Sequence, residues 1–165
     1  MGQTRQGGKG TPATIALVRA GVQHIVHPYE HDPAAPSYGL EAARALGVSP
    51  TRVFKTLLAD VDGRLVVAVV PVSGSLDLKA LAHAASGKRA TMAATSLAER
   101  STGYVVGGIS PIGQRKVLPT IVDKSALAHS TIYISAGRRG LDVELAPEDL
   151  IDLTSATTAT IGRPG

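Results

Sequence analysis

The run from Val53 to Val72 constrains this 165-residue chain more than any other. RVFKTLLAD (52–60) and RLVVAVVPV (64–72) are dominated by apolar and β-branched residues. They are separated by Asp62-Gly63, a pair suited to the positive φ that a tight hairpin turn requires. An antiparallel hairpin is the expected structure. Alternation puts Lys55 on one face with Val53 and Leu57, and Phe54, Thr56 and Leu58 on the other, so both faces are largely apolar. An ammonium in such a strand must find a partner or reach water, because burying it unpaired is costly and pushes its pKa down. The residues alone leave two readings of Lys55. It is an edge-strand lysine whose head reaches solvent, or a cation at the floor of a pocket, placed for a phosphate or a carbonyl oxygen.

The remainder of the chain alternates helices and short strands. Thr11 caps a first helix with Pro12 in its opening turn, Ile15, Leu17 and Val18 on its apolar face and Gly21 as its stop. QHIVHPYEH (23–31) reads as a strand, and residues 37–46 as a helix ended by Gly47. LDLKALAHAAS (76–86) is helical, RATMA (89–93) strand-like and TSLAERS (95–101) helical. VLPTIVD (117–123), TIYISAG (131–137) and LDVELA (141–146) read as strands, and Pro147 opens a final helix. Strands arriving in succession between isolated helices predict an α+β domain around a curved, mixed, barrel-like sheet flanked by helices. No linker-like segment divides residues 11–165, whereas the Gly-rich polar start, residues 1–10, is expected to be a disordered extension.

Composition narrows the function classes. With 44% hydrophobic and 18% charged residues, the chain can bury the core of one compact domain. A net charge of +4 permits a polyanionic partner without demonstrating one. The absence of cysteine excludes disulfides, thiolate metal sites and a cysteine nucleophile of the protein's own. No apolar run approaches the roughly 20 residues that span a bilayer. MGQTRQGGKG lacks the apolar centre of a signal peptide, and Gln6 stands where a myristoylation signal needs Ser or Thr. A cytoplasmic location with no membrane partner is expected.

The stretch STGYVVGGISPIGQRKVLPT (101–120) is the chemically suggestive loop. Gly107 and Gly108 allow positive φ or a close backbone approach to a ligand, and Pro111 fixes the chain just beyond Ser110. Gly108 and Gly113 have the spacing of a phosphate-binding P-loop, but Gln114 and Arg115 follow where Lys and Ser or Thr are required. The loop is therefore a structural turn or an amide-lined cleft for a carbonyl or sugar edge, made basic by Arg100, Arg115 and Lys116. His24, His27 and His31, with Glu30 and Asp32, do not make a metal site, because alternation sends His24 and His27 to opposite faces and Pro28 interrupts the run. No G-x-S-x-G elbow supports a serine triad. No metal or cofactor is expected.

Five blocks, in order, carry a resemblance: YEHDP (29–33), VFKTLL (53–58), VSGSLDLK (72–79), RSTGYVVGGISPIGQRKVLPT (100–120) and TIYISAGRRGLDVELAPEDL (131–150). Together they resemble the YbaK-type Cys-tRNA(Pro) deacylases, free-standing relatives of the prolyl-tRNA synthetase editing domain, over about Thr11 to Ile161. The resemblance implies a curved mixed sheet with flanking helices and hydrolysis of the ester between a mischarged amino acid and the tRNA 3′ end. It implies a catalytic set of Lys55, Gly107, Gly108, Ile109 and Ser110, and a substrate-binding set of Tyr29, Thr56, Arg100, Pro111, Ser135 and Asp142. Lys55 would contact the terminal phosphate or the ester, the loop amides the substrate carbonyl, and Asp142 the amino group or Lys55 itself. The implied partners are the 3′ end of tRNA(Pro) and prolyl-tRNA synthetase.

The resemblance also accounts for the missing nucleophile. It implies that the substrate's own cysteine thiol attacks its ester carbonyl, leaving the protein to position groups and stabilise charge, which in well-oriented intramolecular reactions supplies roughly 7–11 kcal/mol. Two alternatives stay open. The same basic cleft would serve a non-catalytic module that binds a nucleotide or an acceptor stem, and a related deacylase would act on a different mischarged tRNA.

Overall fold

The computed structural model describes residues 10–165, so the disorder expected for residues 1–10 falls, Gly10 apart, outside the described residues. The elements run α1 (Pro12–Arg19), β1 (His24–Pro28), α2 (Tyr38–Leu46), β2 (Phe54–Val61), β3 (Arg64–Pro71), β4 (Gly74–Leu76), α3 (Leu78–Ala84), β5 (Ala90–Met92) and α4 (Thr95–Thr102). After the glycine loop come β6 (Thr120–Asp123), a 3-10 turn (Lys124–Ala128), β7 (Ile132–Arg138), β8 (Leu141–Leu145), α5 (Pro147–Thr154), β9 (Thr157–Ala159) and β10 (Gly162–Pro164).

Local chemistry explains the best-formed elements. The hairpin β2–β3 turns at Asp62 and Gly63, with φ of 52° and 88°, and pairs Phe54 with Pro71 through Val61 with Arg64. Asp60 closes the turn by accepting from the Gly63 N–H at 2.7 Å. Thr11 and Thr14 form a reciprocal capping box at α1. Ser37 caps α2, and Gly47 ends it in the left-handed region. The strand expected over 117–123 begins only at Thr120. Pro119 has no N–H for a ladder, and its carbonyl instead accepts from the Val67 N–H at 2.8 Å.

The strands form three sheets, with orders β5-β2-β3-β6-β9, β1-β8-β7 and β10-β4. In the five-stranded sheet the pairs β2–β3 and β2–β5 are antiparallel, whereas β3–β6 and β6–β9 are parallel. The expected mixed α+β architecture is present, but the curvature does not close into a barrel. The two larger sheets meet at one isolated bridge, Val53 with Tyr133. Both faces of β3 are covered. Val67 and Val69 join a core with Leu17, Ile112, Ile134, Val143 and Leu150, while Val66, Ala68 and Val70 pack with Leu81, Ile121 and Ile161 under α3.

One consequence of this pairing positions the site. On the outer edge, Val53 just before β2 bridges β7, and β2 itself pairs β5 from Ala59 to Val61. Among the described residues, 54–57 between them have no strand neighbour on that edge. Unpaired strand edge is ready to bond whatever lies beside it, and here a cavity does.

Candidate active site

The cavity has a volume of about 460 Å³, within the range of small-molecule sites, and every residue from Val53 to Leu58 lines it. Tyr29 and the start of α2, Ser37 and Tyr38, form one wall. Val106, Gly107 and Ile109 of the glycine loop also line it, and Ser135 and Asp142 line it from β7 and β8.

Lys55 supplies the cation. Its ammonium donates to the Gly74 carbonyl at 3.0 Å, and burial holds its pKa below the usual lysine value, with no carboxylate offsetting that shift. Asp142 is opposite in character. Its side chain is buried in the cavity wall, no protein group donates to it among the described residues, and burial pushes its carboxyl from 3.8 up to about 7. The two groups therefore do not form an ion pair, and Gly74 rather than Asp142 organises Lys55. Burial, aided by the charge of Asp142, also pushes the Tyr29 phenol up to about 12, so it stays a neutral hydroxyl. The Thr56 hydroxyl is buried without a partner among the described residues, which costs free energy unless something bonds it.

The glycine loop is held from three sides. Glu99 accepts from the Val106 N–H at 2.9 Å, the Tyr104 hydroxyl donates to the Ile112 carbonyl at 2.7 Å, and Arg139 donates to the Val106 carbonyl at 2.7 Å. The Gly108 N–H is taken by the Val105 carbonyl at 2.8 Å. Among the described residues the N–H groups of Gly107 and Ile109 have no acceptor, and both residues line the cavity. Gly107 sits at φ 94°, and a Cβ there would stand 2.5 Å from Arg139 Nε and 2.7 Å from the Tyr38 ring.

Of the residues singled out in the sequence, Tyr29, Lys55, Thr56, Gly107, Ile109, Ser135 and Asp142 share this cavity. The other four lie elsewhere. Gly108 backs onto β7, where an added Cβ would be 2.7 Å from Arg138 Cα. Ser110 is fully buried and accepts from the Ile112 N–H, and Pro111 is buried beside it. Arg100 is exposed at the end of α4. Two contributors were not singled out. Tyr38 read only as part of the helix over 37–46, and Arg139 only as part of the block 131–150, yet the Arg139 guanidinium lies 4.1 Å from the ring centroid of Tyr38, which lines the cavity. No local pattern marks either, since their meeting is set by how α2 and the β7–β8 turn pack.

The histidines lie apart from the cavity. His27 contacts Glu144 and His31 contacts Glu41, each at 2.9 Å, and His24 bonds the Val22 carbonyl. Among the described residues no group of three or more His, Asp and Glu is placed to hold a metal. Nor is any helix long and apolar enough to cross a membrane.

A cavity lined by a lysine, a buried carboxyl and free loop amides has the donors and acceptors to receive a small polar group. Residues 32–153 match the family model of the aminoacyl-tRNA editing domain, and the chain belongs to that family. A relative from Enterococcus faecalis, "Putative Cys-tRNA(Pro)/Cys-tRNA(Cys) deacylase EbsC", is 40% identical over 158 residues, covering 93% of this chain and 96% of that one. "Uncharacterized protein YwhH" of Bacillus subtilis is 25% identical over 114 residues, 69% of this chain and 73% of its own. The fold matches the "Crystal structure of a putative trans-editing enzyme for prolyl tRNA synthetase" with a TM-score of 0.81 at 24% identity, covering 92% of this chain and 95% of that chain.

Proposed function

We propose that this chain deacylates cysteine mischarged onto tRNA(Pro), with the thiol of the substrate as nucleophile. The observation that carries the reading is the composition of the cavity: a cation, a buried carboxyl and free amides, with no histidine and no cysteine among the residues that line it. Such a site holds and polarises an ester. It lacks the paired nucleophile and base of an acyl-transfer triad.

Each group has a part in that chemistry. The Asp142 carboxylate accepts from the α-ammonium of the aminoacyl group, whose charge makes up for the hydration Asp142 loses on burial. The Gly107 and Ile109 amides donate to the ester carbonyl oxygen as it gains charge, and Lys55 neutralises that charge or the neighbouring phosphate. The thiol sulfur, deprotonated, attacks the carbonyl carbon. Collapse of the tetrahedral intermediate breaks the bond to the ribose oxygen, which leaves with a proton. The product is free tRNA and a four-membered thiolactone, which water opens to cysteine. Tyr29, Thr56 and Ser135 line the pocket and offer hydroxyls to the substrate.

The name of the Enterococcus relative pairs tRNA(Pro) with tRNA(Cys). What the two substrates share is cysteine, which supports selection by amino acid more than by tRNA. Recruitment by prolyl-tRNA synthetase, in the cytoplasm, fits a factor of that kind because it places the protein where the error is made. The test is a panel of Cys-tRNA(Pro), Cys-tRNA(Cys), Ala-tRNA(Pro) and Pro-tRNA(Pro), with and without the synthetase. The reading expects both cysteinyl substrates to be cleaved and the other two spared. Rapid cleavage of Ala-tRNA(Pro) would overturn it.

A further inference from the structure

The carbonyl that holds the Lys55 ammonium belongs to Gly74, which does not itself line the cavity. Gly74 opens β4, and the one strand neighbour of β4 among the described residues is β10. The two backbones approach so closely that a Cβ added at Gly74 would stand 1.9 Å from the Arg163 carbonyl oxygen. β10 is fixed in turn by Asp123, which is buried at the end of β6. Its Oδ1 accepts from the N–H of Ile161 at 2.9 Å and of Gly162 at 2.8 Å, while its Oδ2 accepts from the N–H and hydroxyl of Ser125. Burial raises its pKa, but these four donors outweigh burial and keep it an ionised carboxylate.

We infer that Asp123 is a positioning residue for Lys55, acting through the backbone of Ile161 and Gly162, the β10–β4 ladder and the Gly74 carbonyl. The inference rests on the reading of the cavity as a deacylation site, and it assigns a part to β10, which lies beyond the family match at residues 32–153. Together with Asp77, whose N–H donates to the Ile161 carbonyl at 2.7 Å and whose carboxylate pairs with Arg163, the Asp123 carboxylate helps fix where the catalytic cation can stand. Removing it takes two acceptor bonds from the entry to β10, loosens the β10–β4 pair and shifts the Gly74 carbonyl that holds the ammonium. Displacements of about 1 Å at a positioning group cost up to about 100-fold in rate.

The experiment uses the full chain and the variants Asp123→Ala, Asp123→Asn and Gly74→Ala, the last of which blocks the β10 approach directly. Two quantities are read in each folded variant: the ¹⁵N resonance of the Lys55 amine, assigned by its loss in Lys55→Ala, and single-turnover kinetics on Cys-tRNA(Pro). Expected are a moved Lys55 resonance and a rate about 10- to 100-fold lower with KM within about twofold. Asp123→Asn should fall between Ala and wild type, because its amide oxygen still accepts from Ile161 and Gly162. A folded Asp123→Ala protein with an unmoved Lys55 resonance overturns the inference, whatever its rate. Should that variant not fold, the same resonance in Asp123→Asn and Gly74→Ala decides. The resonance needs no substrate, so failure of the coupling and failure of the deacylation reading are told apart.

Discussion

Arg139 lies over the ring of Tyr38, its guanidinium carbon 4.1 Å from the ring centroid, and the same guanidinium donates to the Val106 carbonyl. One side chain thus ties the start of α2 to the glycine loop by contacting Tyr38 and Val106, both of which line the cavity. Arg139→Ala should loosen both and raise KM for Cys-tRNA(Pro) more than it lowers kcat. A loss of about 1 kcal/mol, some fivefold in kcat/KM, is the scale of an exposed cation–π contact with one hydrogen bond. Arg139→Lys should not restore it, because an ammonium lacks the planar fork that stacks and donates at once. Steady-state kinetics of the two variants check this, and full recovery with lysine contradicts it.

Gly107 and Gly108 should both be intolerant of alanine, for different reasons. At Gly107 a Cβ meets the Arg139–Tyr38 clamp and the backbone sits at φ 94°, so Gly107→Ala should cost about 1–2 kcal/mol of local strain and displace the free amides. At Gly108 the obstruction is the backbone of Arg138 and Arg139, with no side chain to swing aside. Gly108→Ala should therefore lower the melting temperature as well as activity, whereas Gly107→Ala should lower mainly activity. Thermal melts and deacylation rates of both variants separate the two effects.

The hairpin was the most legible part of the fold because its signal is local: two apolar runs and an Asp-Gly turn fix β2 and β3 without reference to anything else. The caps at Thr11, Ser37 and Gly47 are local in the same way. β4, β9 and β10, each three residues long, carry no pattern of their own and exist because other backbone lies beside them. The site divides along the same line. Lys55 and Gly107 stood out through residue type in an unusual setting, whereas Asp142 was marked only by the resemblance. The gap in the β2 edge, the Gly74 carbonyl and the Arg139–Tyr38 contact depend on where distant segments meet, which no window of sequence contains.

Asp142 should make the protein less stable as pH rises. Its carboxyl is pushed from 3.8 up to about 7 in the folded chain, so through that interval the folded state retains a proton that the unfolded state has lost. Stability must therefore fall with rising pH across that window, by roughly 4 kcal/mol in all at about 1.4 kcal/mol per unit. Carboxylates held below their ordinary values, such as Asp123 and Glu144, give the opposite slope but only at more acid pH. Asp142→Asn should remove the slope, leaving a protein more stable than wild type at pH 8 and defective in binding the aminoacyl group. Melts from pH 4.5 to 8 provide the check, and parallel curves for the two proteins would refute it.

Lys55→Ala should lower deacylation by about 100- to 1,000-fold, the scale of losing a charge that meets the developing oxyanion. The fold should survive, since Lys55 is half-buried and alanine leaves no charge behind. Circular dichroism and single-turnover rates on the same preparation test both halves. Wild-type turnover would remove Lys55 from the mechanism.

The central claim is that the substrate brings its own nucleophile. Cysteine and serine differ by one atom and fit nearly the same cavity, but near pH 7 a thiol is partly ionised and far more nucleophilic than a hydroxyl. Discrimination should therefore lie in the chemical step, with binding nearly equal. The decisive measurement is single-turnover deacylation of Cys-, Ser- and S-methylcysteinyl-tRNA(Pro) at saturating protein. The account predicts rapid cleavage of the first alone, whereas comparable rates for all three would contradict it and assign the attack to water.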